Sequence, residues 1–313
     1  MLDELLSHRL LILIGKGGVG KTTLSAALAS LAARRNGATL AVECDEAAPL
    51  AALWEAPPSY APRAVEPGLS VMVVEGRHAL EEYLRLVIPR AIFSTVAATR
   101  LFQYFVLAAP GLRELMTLGK LYYEAELGHH GVRTWKTIVF DAPSTGHALN
   151  LLRMPFAARE TFGDSRVGRE AGHIAALLRN PRHCAALLVT TPESLALTET
   201  IEAYQELTRY QVAVQAVFLN RYSPARFAAS DLTRFKKLAV LQGNSHLEYF
   251  TTVARTQVVR AAAARKALAL LRAHTRFPII ELPDFGASAG HDLVVRTALH
   301  LSNQPAARAA TVS

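Results

Sequence analysis

The sequence predicts an α/β protein built on a doubly wound, mostly parallel sheet, and three observations carry that expectation. Short, almost continuously apolar runs recur along the chain, helix-like stretches separate several of them, and a glycine-rich loop follows the first run directly. A strand covered by helices on both faces needs apolar side chains on both, so it reads as an unbroken Val/Ile/Leu/Ala run rather than as alternation. Strand, helix, strand in repetition implies right-handed crossovers and places ligands at the carboxyl ends of the strands.

The first run is LLILI (10–14). The residues ahead of it carry Asp3 and Glu4 where a secretory leader carries basic residues, so the start of the chain reads as part of the first strand rather than an address, and a cytoplasmic location is expected. A helix over Lys21 to Arg35 follows the glycine loop, then the runs ATLAVE (38–43) and LSVMVV (69–74). KTIVFD (136–141), CAALLVT (184–190), VAVQAVFLN (212–220) and FPIIEL (277–282) complete the set, with helices expected over Glu193 to Arg209 and over the alanine-rich Tyr249 to His274.

Between the third and fourth runs, residues 75–135 far exceed a crossover helix and predict an inserted helical subdomain. Leu101, Phe102, Phe105 and Val106 form one apolar stripe at helical spacing, and Leu112, Leu115, Met116, Tyr122 and Tyr123 form another. These stripes either pack on each other and the sheet or line a groove. The apolar window 86–112 is interrupted by Pro89, Arg90, Arg100 and Pro110 and falls short of a membrane span. The expected organisation is one domain over 1–302 with the 75–135 insertion, and a disordered tail over 303–313.

About half of the 313 residues are apolar and under a fifth are charged, which excludes a disordered chain. Cys44 and Cys184 are too few and too far apart for a disulfide framework or a Cys-x-x-Cys zinc site. The net charge of +8 is concentrated: residues 221–276 carry eleven Lys or Arg against Asp231 and Glu248, a local +9, while the rest sums to −1. Such a stretch is either a solvated helix face or an attractor of phosphate backbones or anionic headgroups.

Gly15-Lys16-Gly17-Gly18-Val19-Gly20-Lys21-Thr22-Thr23 satisfies two fingerprints, G-x-G-x-x-G of dinucleotide folds and G-x-x-x-x-G-K-[ST] of phosphate loops. Both use glycines to aim backbone N–H groups at phosphate oxygens where a helix begins. Lys21 and Thr22 decide between them, since a triphosphate site needs a cation on the outer phosphates and an oxygen ligand for magnesium. ATP and Mg2+ are the expected ligands of this phosphate-loop architecture. Asp45 and Asp141 follow apolar strands and should stand at the sheet's carboxyl edge, Asp141 beside the magnesium with Thr22, and Asp45 to orient or deprotonate the attacking water. Either aspartate also suits a turn or a helix cap. Glu43, the possible ribose-binding acid of the dinucleotide reading, lies at the wrong spacing.

Lys16 lies inside the loop, where an ordinary phosphate loop does not need it. With it, GKGGVGKTT resembles the deviant phosphate loop of the family that includes partitioning ATPases, the nitrogenase iron protein and arsenical pump-driving ATPases. FDAPSTGHALNLLRMP (140–155), TPESLALTET (191–200) and APGLRELMTLGKLYYEAE (109–126) resemble segments of the arsenical-pump and tail-anchored-protein-targeting branch. The resemblance implies that Lys16 reaches a partner's nucleotide in a homodimer. It also implies that Asp45 activates water, that Gly146 and His147 belong to a second switch, and that Asn220 reads adenine. It implies an ATPase whose dimer closes and opens on a client protein, such as a hydrophobic helix or a membrane partner.

Departures limit the transfer. Glu46-Ala47-Ala48 follows Asp45 where the family has Pro-Ala-His, and Pro143 stands one place early. The metalloid-binding cysteines and the zinc-clasping Cys-x-x-Cys are absent, so no metalloid site is expected. A single phosphate loop means that a complete pair of sites requires two chains. Two alternatives remain: a partitioning-type ATPase holding DNA through 221–276, and a client-binding chaperone locked by nucleotide with little turnover.

Overall fold

The structure, a computed structural model, describes residues 1–87, 111–128, 132–242 and 245–303. Its eight strands are β1 (Leu10–Gly15), β2 (Thr39–Glu43), β3 (Arg63–Glu66), β4 (Leu69–Val73), β5 (Thr137–Ser144), β6 (Cys184–Thr190), β7 (Val214–Tyr222) and β8 (Ile279–Pro283). They form one sheet in the order β3-β4-β2-β5-β1-β6-β7-β8, parallel throughout except for β3 against β4. All seven apolar runs are strands. The two additions are at the margins: β3 is an unanticipated antiparallel rim, and β5 and β7 continue past Asp141 and Asn220 to Ser144 and Tyr222.

The unbroken apolar runs have the expected consequence, because alternate residues of each strand enter two separate cores. Leu10, Ile12 and Ile14 of β1 enter one, and Leu11 and Leu13 the other. The second core is closed by α1 (Leu2–Leu6), α2 (Lys21–Asn36), α3 (Pro49–Ala52) and α11 (Gly290–Asn303). Small side chains make α2 possible there: every residue from Leu24 to Ala33 is buried, because α2 lies between the sheet and α11, and alanine tolerates burial all round. The residues ahead of β1 form α1 rather than more strand.

The first core is closed by α5 (Leu112–Tyr122), α6 (Thr145–Phe162), α7 (Arg166–Arg179), α8 (Ser194–Arg209) and α10 (Ser245–His274). A further helix, α9 (Ala229–Gln242), packs against α10. Among the described residues no helix is long and apolar enough to cross a membrane.

Of the expected insertion, the structure describes α4 (Gly76–Val87), α5 and a single π-helical turn, Tyr123–Leu127. α4 packs on α5, and α5 on α6 and α7. Leu115 is buried, while Leu112, Met116, Tyr122 and Tyr123 are half-buried. The stripe of Leu101, Phe102, Phe105 and Val106 lies outside the described residues, as do 304–313 of the expected tail.

A polar knot ties these pieces to the sheet. Lys120 of α5 pairs with Glu82 of α4 at 2.9 Å and with Glu124 of the π-turn at 3.1 Å. Trp135 donates its indole N–H to Glu124 at 2.9 Å, and the Tyr60 hydroxyl donates to Glu82 at 2.6 Å. The Lys120 ammonium also lies over the rings of Tyr60 and Tyr123.

Candidate nucleotide-binding site

The loop after β1 is shaped by its glycines. A Cβ on Gly15 would stand 2.1 Å from the Val189 carbonyl oxygen of β6, so the loop leaves the strand in backbone contact with its neighbour. Gly18 and Gly20 take φ of +82° and +94°, and Gly20 is the residue before the first turn of α2. Gly17 and Gly18 are exposed, Lys16 and Gly20 are half-buried, and Val19 is buried in the second core, anchoring the loop from below. The result is a concave run of main chain capped by a helix N-terminus, which can bind phosphate oxygens.

Lys21 and Thr22 open α2 and face opposite ends of that run. The buried Lys21 ammonium donates to the Gly15 carbonyl at 2.8 Å and to the Lys16 carbonyl at 3.3 Å, folding back over the loop. Burial lowers its pKa from the ordinary lysine value, against the opposing pull of Asp141 and Glu199. Thr22 donates its hydroxyl to Asp141 Oδ2 at 2.6 Å, and Ser25, one turn on, donates to Asp141 Oδ1 at 3.1 Å. Thr23 is half-buried.

Asp141 is opposite Leu13 of β1 on one side and Glu43 of β2 on the other, at a point where the β1–β5 register slips. It is nearly fully buried. Burial raises its carboxyl pKa, opposed by the Thr22 hydroxyl, the Lys21 charge and the Ser25 hydroxyl, while Asp45 pushes it further up.

Asp45 is exposed at the same edge, two residues past β2. Its Oδ1 accepts from the Ala47 N–H at 2.9 Å and its carbonyl accepts from the Ala48 N–H at 2.9 Å, so it shapes a turn and presents the rest of its carboxylate outward. Ala48 closes that turn at φ of +49°, a left-handed conformation rare for a residue with a side chain. Glu43 holds the far end: both its carboxylate oxygens accept N–H groups of α3, from Leu50 and Ala51, each at 2.9 Å. Burial raises the Glu43 carboxyl to about 7, opposed by those two bonds and assisted by Asp141 and Asp45.

Asn220, near the end of β7, donates its amide to the Val19 carbonyl at 2.8 Å, and a Cβ on Gly20 would stand 2.3 Å from that amide nitrogen. Next to it, Arg221 takes φ of +53° and donates to the Gly18 carbonyl at 3.2 Å. Gly146 and His147 occupy the first turn of α6, exposed, where His147 Nδ1 lies 3.4 Å from the Ser144 hydroxyl. Gly15, Lys16, Lys21, Thr22, Asp141, Val19 and Asn220 are therefore bonded into one assembly. Asp45 joins it through the electrostatics of Asp141, and Gly146 and His147 share only its edge.

Ser25, Arg221 and Glu199 escaped the sequence reading, and Glu43 entered it only as a rejected ribose ligand. Ser25 lies one helical turn after Thr22 on the same face, a signal that was available. Glu43 is an acid closing an apolar strand, the same pattern that selected Asp141. Arg221 and Glu199 left no pattern, because only the chain's return to the loop gives them a role.

This architecture has relatives. The model of the anion-transporting ATPase family matches residues 8–170 and 165–250. The chain belongs to that family. It is an ATPase with a nucleotide-binding loop on an α/β sheet. It is 29% identical to the ATPase BagA of Mycobacterium tuberculosis over 237 residues, covering 72% of this chain and 68% of that one. It is also 25% identical to the ATPase GET3A of Arabidopsis thaliana over 66% of this chain and 65% of the other. With a putative arsenical pump-driving ATPase of Aquifex aeolicus it shares 24% identity, over 69% and 64% respectively.

Proposed function

We propose that this ATPase is a magnesium-dependent, homodimeric nucleotide switch of the cytoplasm whose closing and opening acts on a client protein. The observation that carries the reading is the bond between Thr22 and Asp141 at the mouth of the loop. It joins a hydroxyl one place after Lys21 to a buried carboxylate at the carboxyl edge of the sheet. The donors there are hydroxyl and carboxylate oxygens, which suit a small hard cation, and among the described residues no cluster of three His, Cys, Asp or Glu competes for one. Thr22 and Asp141 would hold magnesium there, and the ion would supply positive charge against the negative charge of the outer phosphates.

The chain's own groups do the rest. Backbone N–H groups of Gly17 to Lys21 hold the phosphates, and Lys21, already bonded across the loop mouth, exchanges carbonyl partners for phosphate oxygens. Asp45, exposed and pre-shaped by its turn, orients water for attack on the terminal phosphorus. The new P–O bond forms as the bond to the ADP oxygen breaks, and the water proton passes to the Asp45 carboxylate or the released phosphate. Asn220 reads the base, Gly146 and His147 relay the phosphate state along α6, and Lys16 serves the partner's site. The likeness to an ATPase named GET3A and to a pump-driving ATPase supports a client-coupled role over hydrolysis for its own sake.

The test is Asp45→Asn and Lys16→Ala measured for phosphate release, ATP binding and size. Asp45→Asn should bind ATP, release no phosphate and accumulate as a dimer, while Lys16→Ala should lose turnover with ATP affinity nearly unchanged. Wild-type turnover in Asp45→Asn, or full activity from a monomer, would overturn the mechanism.

A further inference from the structure

Residues 221–276 carry eleven basic side chains. All eleven, from Arg221 to Arg276, are exposed, and Arg260 to Asp284 at 3.4 Å is a salt bridge of the open surface. A second pattern lies on the same helix. Of nine large apolar residues exposed among those described, four fall in one stretch of α10: Tyr249 at 74%, Phe250 at 41%, Val253 at 46% and Val259 at 63%.

Helix geometry puts the two sets on one side. Thr251, Ala254, Ala261 and Ala264 are buried and face the protein. Away from them, Tyr249, Val253 and Arg260 succeed one another along one row, and Arg255, Val259 and Lys266 along the next.

The hairpin is also preorganised. Phe227, Phe235 of α9 and Phe250 of α10 meet edge to face with ring centroids 5.1 to 5.8 Å apart. Gln257 donates to the Ser223 hydroxyl just beyond β7. The residues of α10 ahead of Gln257 therefore project past the carboxyl edge of the sheet, by roughly 18 Å at the helical rise of 1.5 Å per residue.

We infer that this exposed face of the α9–α10 hairpin docks on an anionic lipid bilayer. Basic charge alone would serve a nucleic acid equally well, since phosphate contacts need no apolar surface. The apolar residues decide: a helix lying in the headgroup region buries Tyr and Val into the acyl boundary while Arg and Lys extend to the phosphates. The inference stands apart from the switch mechanism, for Tyr249, Val253, Arg255, Val259, Arg260 and Lys266 lie outside the loop assembly.

The experiment is co-sedimentation of the full chain with vesicles of phosphatidylcholine alone or mixed with phosphatidylglycerol, and with duplex DNA as competitor. Binding to the mixed vesicles only is expected. Arg255→Ser and Lys266→Ser should each weaken it roughly fivefold, the factor corresponding to one basic residue at a charged surface. Tyr249→Ser/Val253→Ser/Val259→Ser should abolish most of it with thermal unfolding and ATP turnover unchanged. Absence of binding to anionic vesicles overturns the inference. So does preferential DNA binding indifferent to the apolar triple variant, or self-association through this face that the triple variant breaks.

Discussion

Replacing Lys120 with methionine tests whether the polar knot holds the described insertion to the sheet. The lysine and Glu124 side chains are 8% and 1% exposed and 3.1 Å apart, whereas Glu82, the other partner, is 38% exposed. Most of the effect must therefore come from Glu124. Removing one member of a buried pair takes a counter-ion from a buried charge and costs about 3–5 kcal/mol, while the half-exposed pair with Glu82 adds at most about 1 kcal/mol. That is a large part of the roughly 5–15 kcal/mol by which domains are stable. Lys120→Met/Glu124→Gln removes both charges and keeps a carbonyl oxygen for the Trp135 indole, so it should recover most of the loss. Equilibrium urea unfolding followed by tryptophan fluorescence reads this directly, because Trp135 sits in the knot. A loss below about 1 kcal/mol for the single variant would place the pair with ordinary surface ion pairs. A double variant no more stable than the single one would also refute the account.

Gly20→Ala, whose Cβ meets Asn220 at 2.3 Å in a left-handed backbone, should weaken nucleotide binding more than tenfold by calorimetry. Glu43→Ala strands the Leu50 and Ala51 N–H groups, and thermal unfolding should report a loss of about 1–3 kcal/mol for each group left unbonded. It should also lower turnover, since Asp45 loses the anchor beyond its turn. Burial pushes both thiols, Cys44 and Cys184, up to about 12, so at pH 8 the native chain should resist alkylation and label at both positions only when unfolded in urea. Fast labelling of the native protein would contradict that burial.

What the sequence made legible followed from two physical regularities. Strands buried on both faces must be apolar throughout, so β1, β2 and β4 to β8 announced themselves. β3 did not, because Arg63 and Glu66 sit at an exposed rim between Pro62 and Pro67 and bury little. In the same way Asp141 stood out as an acid closing an apolar run, while its hydrogen bond from the Thr22 hydroxyl came only with the fold. The bonds that depend on chain return were invisible, even though the family resemblance had named Asn220: Asn220 to Val19 spans 201 positions and Arg221 to Gly18 spans 203. Only the sheet order, with β6 alone between β1 and β7, brings them near.

That sheet order also sets how copies of the chain can meet. One rim is β3, four residues long, charged and flanked by prolines, and the other is β8, entered after Pro278 and ending at Pro283. Neither rim offers a clean ladder of free N–H and C=O groups to another strand. Growth of the sheet from molecule to molecule is thereby discouraged at both ends. Among the described residues, self-assembly is left to side-chain surfaces, which separate more readily than a hydrogen-bonded seam.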